Sequence, residues 1–146
     1  EKRVRLRKTG RITKYMEYNF VNQPDLAQTF VVTCALLGVP FRFTGLQSLK
    51  IKETDRIAAL IKELGKLGYL INEENDSVLY WNGERGEADA CPAIDTYEDH
   101  RMAMAFAPAS IAMPEIRINE PQVVSKSYPH YWAHLEEAGF TLTEVK

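Results

Sequence analysis

The chain has 146 residues, 45% apolar and 26% charged, with a net charge of −2 and two cysteines. That length carries a hydrophobic core, whereas no apolar run approaches the ~20 residues of a membrane helix. Cys34 and Cys91 have no paired spacing that would support a disulfide framework or a zinc site, and the composition reads as a soluble cytoplasmic protein with buried, reduced thiols.

The charge is uneven. Residues 1–14 carry seven cations against Glu1, a net +6, which leaves −8 for the rest. Within them "RVRLRK" alternates polar and apolar residues, the pattern of a half-solvated basic leading strand. No aromatic residues interleave with its cations, so a nucleic-acid partner is not expected, although a nucleic-acid-binding module stays open as the rival reading. A strand is predicted over Tyr15–Val21, then a helix over Leu26–Leu37 and a strand over Val39–Thr44. A helix over Glu53–Leu67 precedes strands at Tyr69–Asn72 and Ser77–Trp81, the second closed by the turn pair Asn82-Gly83. A helix over Arg101–Met113 with a kink at Pro108, a strand at Glu115–Ile118, a helix over Pro129–Ala138 and a strand at Thr141–Val145 complete a mixed α/β string.

Asp25 and Asp99, Pro40 and Pro114, Lys52 and Lys126, and Gly65 and Gly139 are each 74 residues apart. In both copies an acid precedes an apolar helix, a proline opens the next strand, and a second helix closes near a glycine. The expected organisation is one unit of strand, helix, strand, helix, strand, strand used twice, at about 15–88 and 89–146, both within part of one domain. The chain also opens without methionine, and the expectation is a piece of something longer.

On the second helix Ile57, Leu60, Ile61 and Leu64 form the apolar stripe. Extended backwards by four, that stripe reaches Glu53 and Arg56, while Asp55, Lys62 and Lys66 fall on the solvent face. Lys52 and Arg56 therefore sit at the positive pole of a helix, which is unfavourable by roughly 0.3–1 kcal/mol unless an anion intervenes. Arg101 repeats the problem beside an Asp99 cap and His100, and Lys126 repeats it ahead of a Ser127 cap with Pro129 in the opening turn. Helices packed in parallel bring Lys52, Arg56, Arg101 and Lys126 to one cationic rim with His100 beside it and with Asp25 and Glu53 as acid–base groups inside. Such a rim suits a small polyanion bearing phosphate or carboxylate groups. No residue cluster suits a metal, and no cofactor is expected.

The motifs "NQPDLAQT", "KIKETDRI", "TYEDHRMAM" and "VVSKSYP", in this order and at these separations, resemble the carboxy-terminal third of the 5-enolpyruvylshikimate-3-phosphate synthase family. The resemblance runs from about Tyr15 to the end. It implies an inside-out α/β barrel of repeated units with helix amino ends turned to an interdomain cleft. It also implies transfer of the enolpyruvyl group of phosphoenolpyruvate to the 5-hydroxyl of shikimate 3-phosphate, a step of aromatic amino acid biosynthesis and a glyphosate target.

By motif, Asp25 matches the proton acceptor near the attacked hydroxyl and Glu53 the acid that handles protons at the enolpyruvyl carbon. Lys52 matches a shikimate 3-phosphate ligand, with Ser48 where many members carry a different polar residue. Arg56, Arg101 and Lys126 match the cations that hold phosphoenolpyruvate, with His100 beside it. The partners so implied are the two substrates and the remainder of the same polypeptide, in a monomer away from membranes. A related UDP-N-acetylglucosamine enolpyruvyl transferase is a further alternative, against which the "KETDR" and "DHRMAM" pair argues.

Overall fold

In a computed structural model, residues 2–146 are described, and Glu1 lies outside them. Two sheets pack with four helices. The larger sheet has the order β1 (Met16–Asn19), β2 (Phe41–Thr44), β4 (Val78–Trp81), β3 (Asn72–Glu74), and the smaller pairs β5 (Ala93–Ile94) with β6 (Arg117–Ile118). β1 and β2 run parallel, as do β5 and β6, and each pair is bridged by a helix: α1 (Ala27–Leu36) and α3 (His100–Phe106). α2 (Arg56–Lys66) follows β2 and α4 (Tyr131–Glu137) follows β6, each after a 3-10 turn, at Gln47–Ile51 and Pro121–Lys126. Those two turns begin 74 residues apart, at 47 and 121.

α1 buries Ala27, Gln28, Val31, Val32, Cys34 and Ala35 against α2 and α3, while Thr29, Phe30 and Thr33 face outward. α2 is amphipathic and buries Ile57, Leu60 and Leu64. Against them the sheet turns Phe41, Phe43, Leu79 and Trp81, which the antiparallel register sets opposite one another as Phe41–Trp81 and Phe43–Leu79. On the outer face the same register stacks Arg42 over the Tyr80 ring at 5.6 Å.

Several expectations change. The alternation in residues 3–8 forms no strand: residues 2–14 have no ladder partner among the described residues, and a period of two is realised only where a neighbour supplies hydrogen bonds. The strand expected at Thr141–Val145 is absent as well. Tyr69 makes only an isolated bridge to Arg85, and the pairing begins at Asn72. The third helix does not kink at Pro108: the α-helix stops at Phe106 and continues as a 3-10 helix over Ala107–Ile111. A proline with no N–H is accommodated in the first turn of that new helix. Cys34 is buried, but Cys91 is exposed.

Gly45 closes the turn after β2 at φ +74°, and a Cβ there would overlap the Asn19 amide oxygen and lie 2.5 Å from the Val21 nitrogen. Gly45→Ala is therefore expected to destabilise the chain by more than the ~1 kcal/mol of an ordinary positive-φ glycine, with the loss read as a lower urea midpoint. Phe43→Ala, which empties a fully buried ring site, should cost about 3–5 kcal/mol in the same measurement.

Candidate active site

Asp55, not Glu53, starts the second helix: its carboxylate accepts from the Ala58 N–H at 3.1 Å. Asp55 also takes the Lys50 ammonium at 2.9 Å, so it is a cap and not a free solvent-face acid. Lys52 and Glu53 belong to the extended and bent segment before the helix, and Arg56 is its first residue.

Arg56 is only 1% exposed, and its guanidinium is consumed by three acids of the same chain. Nε donates to Asp99 Oδ2 at 2.6 Å and Nη2 to Asp99 Oδ1 at 3.3 Å, a forked contact with a carboxylate that is itself fully buried. Nη1 donates to Asp25 Oδ1 at 3.0 Å, and Nη2 to Glu53 Oε2 at 2.6 Å. Of five guanidinium protons one, on Nη1, remains. The cation at the positive pole is thus neutralised from within, which corrects the expectation that a bound anion is needed to explain it.

Asp25 lies in the 3-10 turn Pro24–Leu26 that leads into α1. Besides Arg56 it meets Lys52 Nζ at 3.5 Å and Arg101 Nη2 at 3.5 Å, and its backbone carbonyl accepts from Arg101 Nη1 at 3.2 Å. Partial burial works against the Asp25 charge, but Arg101, Lys52 and Arg56 outweigh it and hold the carboxyl below its ordinary value. Glu53 is lowered too, by its own backbone N–H first and then, against slight desolvation, by the charges of Arg56, His100 and Lys52. Asp99 caps α3 by accepting from the Arg101 N–H at 2.9 Å, which turns His100 and Arg101 into that helix's first two residues.

Asp25, Lys52, Glu53, Arg56, Asp99 and Arg101 therefore meet at the helix starts, and His100 opens α3 next to Arg101. Ser48, half-buried in the turn before α2, makes no hydrogen bond to this group among the described residues. Lys126 ends the Pro121–Lys126 turn, which packs on α3 through Val123 and Val124, and its exposed ammonium has no ion-pair partner among the described residues. Ser127 closes the Pro121–Lys126 turn and does not cap α4, and Pro129 lies in the turn before α4, whose first residue is Tyr131. No group of three or more metal-ligating side chains occurs among the described residues.

Lys66, expected on the solvent face, instead turns inward to a buried acid, Glu63, at 2.6 Å and to Asp95 at 3.0 Å. Glu63 also accepts from the Tyr97 hydroxyl and the Asp95 N–H. Its local signal, a Glu three residues before a Lys on a helix, is that of an exposed ion pair.

This is an α/β domain of inside-out construction that gathers cations and carboxylates at the amino ends of its helices. The chain belongs to the EPSP synthase (3-phosphoshikimate 1-carboxyvinyltransferase) family, whose model matches residues 2–135. It is 68% identical over 137 residues to the 3-phosphoshikimate 1-carboxyvinyltransferase of Bacteroides fragilis strain YCH46, covering 94% of this chain and 33% of that protein. The protein of the same name from Laribacter hongkongensis is 44% identical over 109 residues, covering 75% and 25%. Among solved structures, EPSP synthase from Acinetobacter baumannii superposes with a TM-score of 0.66 at 26% identity, over 81% of this chain and 28% of that one. The chain spans about a third of the length of the curated relatives it matches.

Two outcomes follow from the buried centre. Arg56→Met leaves Asp99 buried without its partner and should cost about 3–5 kcal/mol in denaturant unfolding, most of it recovered when Asp99→Leu is added. Because the Asp25 and Glu53 carboxyls are lowered in the folded state, their contribution is complete above the unfolded carboxylate range and is lost as pH falls through the folded values, below about pH 4. Asp25→Asn should therefore flatten the acid limb of stability against pH relative to the wild type.

Proposed function

We propose that this chain forms the part of an enolpyruvyl transferase that binds shikimate 3-phosphate and phosphoenolpyruvate and joins them with release of phosphate. The observation that carries the proposal is Asp25, a half-exposed carboxylate held by Lys52, Arg56 and Arg101 from three separate elements at 3.0–3.5 Å. Asp25 takes the proton of the attacking 5-hydroxyl, and Glu53 delivers a proton to the methylene carbon of the enolpyruvyl group as the new C–O bond forms. Loss of phosphate and of a methyl proton then restores the double bond. Positioned acid–base groups supply ~10^2–10^4-fold each.

Lys52 holds shikimate 3-phosphate with Ser48 nearby. Arg101, Lys126 and the remaining Nη1 proton of Arg56 hold phosphoenolpyruvate with His100 beside it, and stabilise charge on the departing phosphate. Lys52 and Arg101 meet the Asp25 carboxylate only at 3.5 Å and are each about a third exposed, so an arriving polyanion competes with that carboxylate at little loss. As it does, the field that depresses Asp25 is offset and the carboxylate becomes more basic when the hydroxyl arrives. The reaction takes place in the cytoplasm, in a monomer that binds neither nucleic acid nor membrane. No helix among the described residues is long and apolar enough to cross a membrane.

In a full-length polypeptide containing these residues, Asp25→Ala and Glu53→Ala are expected to lower kcat by ~10^2-fold or more each, with phosphate release as the assay. Undiminished turnover in both variants refutes the assignment. The 146 residues alone should release no phosphate from the two substrates.

A further inference from the structure

Arg56 and Glu63 are seven residues apart on α2, two turns along one face, and both are buried charges. They grip the two ends of one loop. At the near end Arg56 holds Asp99. At the far end Glu63 accepts from the Asp95 N–H at 3.1 Å, from the Tyr97 hydroxyl at 2.5 Å and from Lys66 Nζ at 2.6 Å, and Lys66 reaches on to the Ala93 carbonyl at 2.8 Å. Asn119 on the neighbouring strand end closes the group by donating to Asp95 at 2.7 Å.

The loop between those grips is strained. Tyr97 and Glu98 are consecutive non-glycine residues in the left-handed region, at φ +53° and +57°, a conformation that persists only where the surroundings over-determine it. Beyond it the chain has no slack: the Asp99 N–H bonds the Thr96 carbonyl at 2.8 Å, and Asp99 caps the helix whose first residues are His100 and Arg101. Any relaxation of the 97–98 turn is transmitted directly to those two side chains.

We propose that Glu63 is a positioning residue for His100 and Arg101, acting through Tyr97 and the strained turn to set how the start of α3 meets phosphoenolpyruvate. This deepens the enolpyruvyl-transfer reading and rests on it. Glu63 takes no part in proton transfer, being sealed beneath Tyr97 and Lys66.

The test uses a full-length polypeptide containing these residues, with Glu63→Gln, Tyr97→Phe and, as a control of equal burial away from the loop, Leu79→Ala. Glu63→Gln and Tyr97→Phe should raise KM for phosphoenolpyruvate by about 10-fold, short of the ~10^2-fold loss from misplacing a reacting group, with KM for shikimate 3-phosphate little changed. Leu79→Ala should lower the melting temperature without that split. Adding Glu98→Gly to Glu63→Gln should restore part of the phosphoenolpyruvate KM, because glycine holds positive φ unaided. Should Glu63→Gln fail to fold, Tyr97→Phe keeps the carboxylate with Lys66 and Asp95 and gives the same readout.

Equal effects on both KM values, or none, overturn the proposal. A wild type without turnover is instead a failure of the transferase reading. Positioning is then read from the His100 imidazole resonances, which should shift in Glu63→Gln and Tyr97→Phe and not in Leu79→Ala. Unshifted resonances would overturn it as well.

Discussion

Everything at the helix starts depends on one buried ion pair, Arg56 with Asp99, at 1% and 0% exposure. Two charges withdrawn from water are tolerable only where further hydrogen bonds take up most of the remaining donors and lone pairs. That requirement draws in Asp25 from the turn before α1 and Glu53 from the segment before α2, and it seats Asp99 as the cap of α3. Three elements from distant parts of the chain are thereby registered on one guanidinium, which is planar and offers donors at fixed angles where an ammonium would not.

The inside-out packing makes this economical. The buried side of α1 fills the centre, and the sheet residues Phe41, Phe43, Leu79 and Trp81 close over it from outside. Buried polar side chains gather at the helix starts, as Gln28 on α1, Arg56 on α2 and the Asp99 cap of α3, where unpaired N–H groups await acceptors. Glu63 and Lys66 are the exception, a second charged pair two turns lower on α2, beneath the loop that leads to Asp99.

Much of this was legible. The stripe Ile57, Leu60, Ile61, Leu64 projected backwards by four picks out Arg56 as inward-facing, and it is the most deeply buried cation. The same projection overran for Glu53, because Asp55 caps the helix two residues later; the "TD" before the arginine was the available signal and the stripe obscured it. Glu63 gave no local sign. Its partners Asp95 and Tyr97 lie 32 and 34 residues away, and a window along one helix sees only Lys66. The alternation in residues 3–8 has a strand's period, but strands are made by neighbours, which pattern alone does not supply.

The 3.5 Å separations between Asp25 and both Lys52 and Arg101 give the cluster a particular chemical character. Lys52, Arg56 and Arg101 stand against Asp25, Glu53 and Asp99, so positive and negative groups balance and the cluster presents little net field. Asp25 serves as a resident counter-ion. In the proposed transferase an incoming anion is therefore not captured by bare charge but exchanged for a carboxylate already in place. Discrimination then falls on geometry and on the number of oxyanion groups the newcomer carries, since a single weak charge offers Lys52 and Arg101 nothing that Asp25 does not already provide.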